Sequence, residues 1–143
     1  LSEQVARKKI SDVAEYNVVC DIKAAQNVAE HWPTRKIYLG FEAGLLETGT
    51  LLHESLPEDH PVRIAYKLYT KHGVRYSWDL LTVEYAIIDD CKHFELSQAG
   101  HVRFDDEGKT IWQEGAGSDH YVIWAEDAGK IVNDIDHLLI TQV

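Results

Sequence analysis

In "AEYNVVCDIKAAQ", Ala14 to Gln26, an acid, an aromatic residue and an amide stand together as Glu15, Tyr16 and Asn17, just before an apolar run and the start of a helix. Loops that only connect are built mostly from Gly, Pro, Ser and Asp, so a carboxylate two residues from a carboxamide beside strand-like apolar residues points to a site. A second such position is Asp79 beside Trp78 in "SWDLLTVEYA", and the imidazoles of His53, His60 and His72 form a third group. Each also has a plain structural reading. Asp79 stands where a carboxylate caps the first amides of a helix, Glu15 and Asn17 suit a turn, and the histidines suit surface or locally bonded positions. No H-E-x-x-H, Walker loop, G-x-S-x-G or G-x-G-x-x-G occurs.

The acidic clusters read as solvated charge. Asp89 and Asp90 end a helix, Asp105, Asp106 and Glu107 top a hairpin, and Asp134 and Asp136 cannot face each other on a helix. "DDEG" is too short for an EF-hand loop. Cys20 and Cys91 lie far apart without metal-ligand or redox spacing, which predicts buried free thiols.

The elements that position these residues follow from periodicity and caps. Leu1 to Lys9 has the pattern of a short amphipathic helix, and Ile10 to Val13 is too brief to assign. Asp21 is placed to cap a helix over Ile22 to His31, with Ile22, Ala25, Val28, Ala29 and Trp32 at helical spacing before Pro33. "RKIYLGF" reads as a buried strand, and Gly44 to Leu56 is helical only in parts. "HPVRIAYKLYTKH" predicts a helix with Pro61 in its first turn and a stripe of Val62, Ala65, Tyr66, Leu68 and Tyr69. After the polar corner "RYS", a helix carrying Leu80, Val83, Ala86 and Ile87 on one face is expected. Residues 93–126 then alternate as a small antiparallel β-meander, "HFELS", "HVRFD", "KTIWQ" and "HYVIWAE", broken by turns. A C-terminal helix follows, its buried face made of Ile131, Val132, Ile135, Leu138 and Leu139.

These elements define an α/β chain, with one parallel-type strand and too little sheet for its helices to cover, so residues 1–143 read as a single domain or the trailing part of a larger one. At 143 residues the chain is long enough to bury a core. Fourteen basic against 24 acidic residues, a net charge of −10, would repel phosphate backbones and anionic lipid, which argues against nucleic acid and membrane surfaces as partners. No apolar run approaches the ~20 residues of a membrane span, and Leu1 does not open a signal peptide. A chain that begins at Leu1 and contains no methionine reads as a fragment, a processed chain or an edited sequence. Its compartment is open, cytoplasmic or exported.

Taken in order, "AEYNVVCDIKAAQ", "WPTRKIYLGFE", "HPVRIAYKLY", "SWDLLTVEYA" and "FELSQAGHVRFDDEGKTIW" resemble the C-terminal portion of the inosine-uridine preferring nucleoside hydrolase family, from about Val13 to Trp112. The resemblance implies a Rossmann-like, nucleoside-hydrolase-like fold of which this is the C-terminal part, and hydrolysis of ribonucleoside N-glycosidic bonds. It assigns Glu15 and Asn17 to ribose hydroxyls, Asp79 to a catalytic Ca²⁺, and Trp78 to a position where the family often has a histidine that helps the base depart.

The residue types agree with those roles. A carboxylate and a two-way carboxamide in one loop can fix the several hydroxyls of a sugar, and an anion stabilises the positive charge that develops on it. Trp78 cannot donate a proton as an acid, which leaves stacking, another residue or solvent to assist the leaving group. The family's D-x-D-x-x-x-D-D loop, source of most metal ligands and of the water-activating aspartate, is absent, and "KKISDV" barely represents the strand before E-x-N. No catalytic residue is therefore identified in this chain. Ca²⁺ takes about 6–8 oxygens and Asp79 offers at most two, so tight Ca²⁺ binding is expected only of the complete enzyme. The implied partners are a small-molecule nucleoside or riboside, an N-terminal half, or further copies of the chain. A non-catalytic relative that binds a riboside or a protein through the same cleft is the alternative.

Overall fold

The computed structural model describes residues 13–88 and 92–141, and it is a mixed α/β structure with small sheets and a C-terminal helix. The expected helix over 1–9, the segment before Val13, the Asp89–Asp90 helix end and Cys91 lie outside the described residues. The chain divides into two compact units, one ending at Ala43 and resuming over Phe94–Trp124, the other made of Gly44–His93 and Ala125–Val143.

In the first unit, helix α1 (Tyr16–Cys20) leads directly into α2 (Ile22–His31). Asp21 caps α2 as its position predicts, its carboxylate accepting from the Ala24 N–H at 2.9 Å. Only Ala29 of the expected stripe is fully buried; Ile22 and Ala25 are half-buried, and Val28 and Trp32 are exposed. The Gln26 amide donates to the Phe104 carbonyl at 3.1 Å and ties α2 to the sheet. Cys20 is exposed, not buried as expected, because it ends a five-residue helix with no buried residue.

The predicted strand "RKIYLGF" contracts to β1 (Ile37–Tyr38), half-buried, because its parallel partner pairs with only those two residues. A 3₁₀ turn, Phe41–Gly44, follows. Four strands occupy the predicted stretches: β4 (Phe94–Leu96), β5 (Gly100–Phe104), β6 (Thr110–Glu114) and β7 (His120–Trp124). Their connectivity is not a simple meander. β5 and β6 form a hairpin, whereas β4 pairs antiparallel with β7, giving the sheet order β1-β7-β4. Gly100 and Asp119 exchange backbone hydrogen bonds of 2.9 and 2.8 Å, so β4 and β5 act as one bent arm that changes partner at Gly100. Only glycine fits that bend: a Cβ there would stand 2.3 Å from the Trp112 indole.

Buried Asp119 holds this corner, accepting from the Val102 N–H at 3.1 Å and pairing with Lys36 at 3.1 Å and His101 at 3.2 Å. Burial, with the charge of Asp119 adding to it, pushes the Tyr38 hydroxyl up to about 12.

In the second unit, β2 (Glu47–Thr48) pairs antiparallel with β3 (Arg75–Tyr76). Around them stand α3 (Leu52–Ser55), α4 (Pro61–Tyr69), α5 (Trp78–Ile87) and α6 (Ala128–Ile140). Leu46, Leu52, Leu56, Leu81, Ile131 and Ile135 form the apolar core.

Three amphipathic expectations need correction. The α4 stripe buries none of its residues fully, and Leu68 and Tyr69 are exposed. In α5 the inward residues are Leu81 and Glu84, and Val83 and Ile87 are 53% and 72% exposed. In α6 Ile131 and Ile135 are buried as expected, but Leu138 is exposed and Asp136, read as solvated, is buried. Its carboxylate accepts from the Gly49 N–H at 2.6 Å, the Thr50 N–H at 3.1 Å and the Thr50 hydroxyl, satisfying a turn in which Gly49 has φ +109°. No helix among the described residues is long and apolar enough to cross a membrane.

Candidate functional site

The chain passes from β3 into α5 through Ser77, a buried residue fixed on several sides. Its N–H donates to the Gly44 carbonyl at 3.0 Å, and its hydroxyl donates to the Leu46 carbonyl at 2.8 Å and meets the Thr48 hydroxyl at 2.7 Å. The Thr48 hydroxyl in turn lies 3.2 Å from the Tyr66 hydroxyl. Burial raises the Tyr66 phenol above its ordinary value, with the Asp136 charge acting the same way and the Thr48 contact opposing, so the group stays a neutral phenol at physiological pH.

With Ser77 held, the residues on either side of it have little freedom. Arg75, Tyr76, Trp78 and Asp79 line a cavity of about 400 Å³, together with Tyr66 and Tyr69 from α4. That volume lies in the range of small-molecule pockets. Tyr76 and Trp78 meet edge to face, ring centres 5.3 Å apart. The Arg75 guanidinium lies 5.1 Å from the centre of the Tyr69 ring and 5.4 Å from that of Trp78. Behind Trp78, Gly44 gives the indole its room: a Cβ at Gly44 would sit 1.9 Å from the ring.

Asp79 does not cap α5. Ser77 is the cap residue, no side chain bonds the first amides there, and the exposed Asp79 carboxylate accepts no hydrogen bond among the described residues. The start of the helix has no side-chain acceptor, and Asp79 keeps both oxygens available.

Glu15 and Asn17 belong to the first unit, and there the carboxylate is the cap. Glu15 Oε2 accepts from the Asn17 N–H at 2.7 Å and the Val18 N–H at 3.2 Å, and Oε1 accepts from the Asn17 side-chain amide at 3.3 Å. The two side chains named from sequence therefore touch each other. Asn17 is exposed and retains its amide oxygen and one N–H for a ligand.

The structure thus groups Trp78 with Asp79 on one cavity wall and Glu15 with Asn17 at one helix start. His53, His60 and His72 are not among the residues that line the cavity. Arg75 and Tyr76 were not singled out from sequence, and Tyr66 and Tyr69 only as members of a helix stripe; the aromatic and basic run "YKLYTKHGVRYSW" carried the signal. Among the described residues no group of three or more His, Cys, Asp or Glu side chains is arranged to hold a metal ion. As an unbonded, exposed carboxylate, Asp79 is a fitting hard-oxygen donor for Ca²⁺, and it supplies at most two of the oxygens such an ion takes. Comparison with models of known protein families, with curated proteins and with solved structures returns no match.

Proposed function

We propose that the chain is the C-terminal part of a Ca²⁺-dependent hydrolase of ribonucleoside N-glycosidic bonds with a nucleoside-hydrolase-like, Rossmann-like fold. The ordered succession of E-x-N, the C-D-x-x-A-A-Q helix and the W-D helix start supports this reading. The observation that carries it is the uncapping Asp79, set beside Trp78 on a cavity of small-molecule size.

In this reading Asn17 and Glu15 hold the ribose hydroxyls, with Glu15 placing an anion near the sugar as positive charge develops at C1′. Trp78 offers an aromatic surface to the base and no acidic proton. Asp79 would be one oxygen ligand of Ca²⁺, an ion that acidifies bound water and orients sugar hydroxyls. The remaining ligands, and the aspartate that activates water, are assigned to sequence beyond these elements.

The test is Asn17→Ala in the protein that carries this chain. Turnover of nucleosides should fall by about 2.7–4 kcal/mol of transition-state stabilisation, as when other positioned polar contacts are removed. An unchanged rate would refute the assignment. Trp78, standing where the resemblance leads one to look for a histidine, favours a second reading: a non-catalytic relative that binds a riboside. Nucleoside binding without release of free base would select it.

A further inference from the structure

From His60 to Trp78 the chain contains no aspartate or glutamate, although 24 of its 143 residues are acidic, and this stretch carries Arg63, Lys67, Lys71 and Arg75. Arg63 is engaged: it donates to the Leu56 carbonyl at 2.6 Å and lies 3.9 Å from Glu58. Lys67, Lys71 and Arg75 are exposed, and none of the three pairs with a carboxylate among the described residues. Beside these cations α4 turns apolar side chains to solvent. Ile64 and Leu68 stand one helical turn apart on the same face, Leu68 is 81% exposed, and Tyr69 next to it is 74% exposed. Lys67 lies between Ile64 and Leu68 in sequence, and Arg75 meets the Tyr69 ring at 5.1 Å. An exposed apolar surface rimmed by like charges is the mark of an interaction site.

We propose that this face of α4, with Lys71 and Arg75 beyond its end, docks an acidic peptide segment whose apolar side chains cover Ile64, Leu68 and Tyr69 and whose carboxylates meet Lys67, Lys71 and Arg75. The assignment does not depend on the ribohydrolase reading.

Charge decides the class of partner. A chain of net −10 repels anions at long range, but at physiological salt screening confines that repulsion to about 8 Å, so a contact answers to the charges within it. Here those are three unpaired cations. Acids re-enter on either side of the stretch, as Glu58 and Asp59 before α4, as Asp79 in α5, and as Glu47, the register partner of Tyr76. They frame the face and limit how much negative charge it accepts. A nucleic acid brings a charge with every nucleotide and makes no use of aliphatic Ile64 and Leu68. A peptide with a few carboxylates among apolar side chains matches both features. In such a contact, covering Leu68 supplies affinity, and the exposed ion pairs select which segment is accepted.

A short fluorescein-labelled peptide of glutamate and leucine, and the same peptide with glutamine replacing glutamate, test this by anisotropy against the protein that carries the chain. The acidic peptide should bind about tenfold more tightly than the neutral one, and added salt should weaken it. Leu68→Ser, and Lys67→Glu combined with Lys71→Glu, should each weaken it about tenfold. Lys130→Glu, the same charge change on the exposed start of α6, should leave its affinity within about twofold. Circular dichroism checks that each variant is folded. No detectable binding of the acidic peptide, equal binding of the two peptides, or an equal loss in Lys130→Glu would overturn the proposal. Tighter binding of oligo(dT) than of the peptide would overturn it in favour of single-stranded nucleic acid. A self-associated protein that dissociates on Lys67→Glu with Lys71→Glu would overturn it in favour of a second copy of the chain.

Discussion

Of the acids at helix starts, Glu15 before α1 and Asp79 in the first turn of α5 are used by the structure in opposite ways. Glu15, which the sequence suggested as a site residue, gives its oxygens to two backbone amides and to Asn17. Asp79, for which the sequence allowed both a capping and a metal-ligand role, accepts no hydrogen bond among the described residues and lines a cavity. The difference lies in the residue before each helix. Glu15 is itself the cap residue, in extended conformation, whereas the α5 cap is Ser77, whose backbone (φ −113°, ψ 33°) is not extended and whose side chain bonds none of the first amides.

Substitution of the two acids tests this contrast, and the larger effect belongs to Asp79. On the ribohydrolase reading proposed above, Asp79→Asn in the protein that carries this chain should lower kcat for nucleoside hydrolysis by about 10²–10³-fold. Its midpoint of urea unfolding should move little, because no backbone amide depends on the carboxylate and only its attraction to the helix N-terminus, about 0.3–1 kcal/mol, is lost. A variant that lost stability and kept its activity would reverse the two roles.

Glu15→Ala should show the opposite balance in its structural part. Loss of the cap leaves two amides of α1 without their acceptor and should cost about 1 kcal/mol in stability. Chemical denaturation of the free chain would measure this without any substrate. If stability is unaffected, the bonds from Asn17 and Val18 to Glu15 contribute nothing, and Glu15 is as available for a ligand as Asp79.

What was legible in the sequence depended on local chemistry. Asp21 before Ile22 and Pro61 at the start of α4 mark helix starts through a cap and a fixed φ, both independent of the rest of the chain. The strand stretches from Phe94 to Trp124 were likewise visible from alternation. Their pairing was not, since the exchange of partners rests on Gly100 meeting Asp119, a contact distant in sequence. Nor was the inward face of α5. Trp78, Leu80, Leu81, Val83, Ala86 and Ile87 surround that helix with apolar side chains, so periodicity selects no face. Arg75 escaped notice because "RYS" has the composition of a turn. Only the rings of Tyr69 and Trp78, brought to it by α4 and α5, show what its cation faces.

The smallest expected effect concerns the other acid of α5. Glu84 is buried, with its Oε1 3.4 Å from His93, whose ring also meets Glu126 at 3.1 Å and Asp134 at 3.3 Å. Its Oε2 is buried without a hydrogen-bond partner. Burial raises the Glu84 carboxyl above the ordinary carboxylate range; the His93 contact opposes this and the Asp134 charge adds to it. Because the folded value exceeds the unfolded one, folding favours the protonated acid. The associated stability is fully present below the unfolded value and is lost as pH rises through the raised folded value. Urea unfolding of the chain from about pH 4 to neutrality should therefore show this contribution declining with pH, and Glu84→Gln, neutral throughout, should flatten that part of the profile. Parallel profiles for the two proteins would mean that Glu84 carries no such proton linkage.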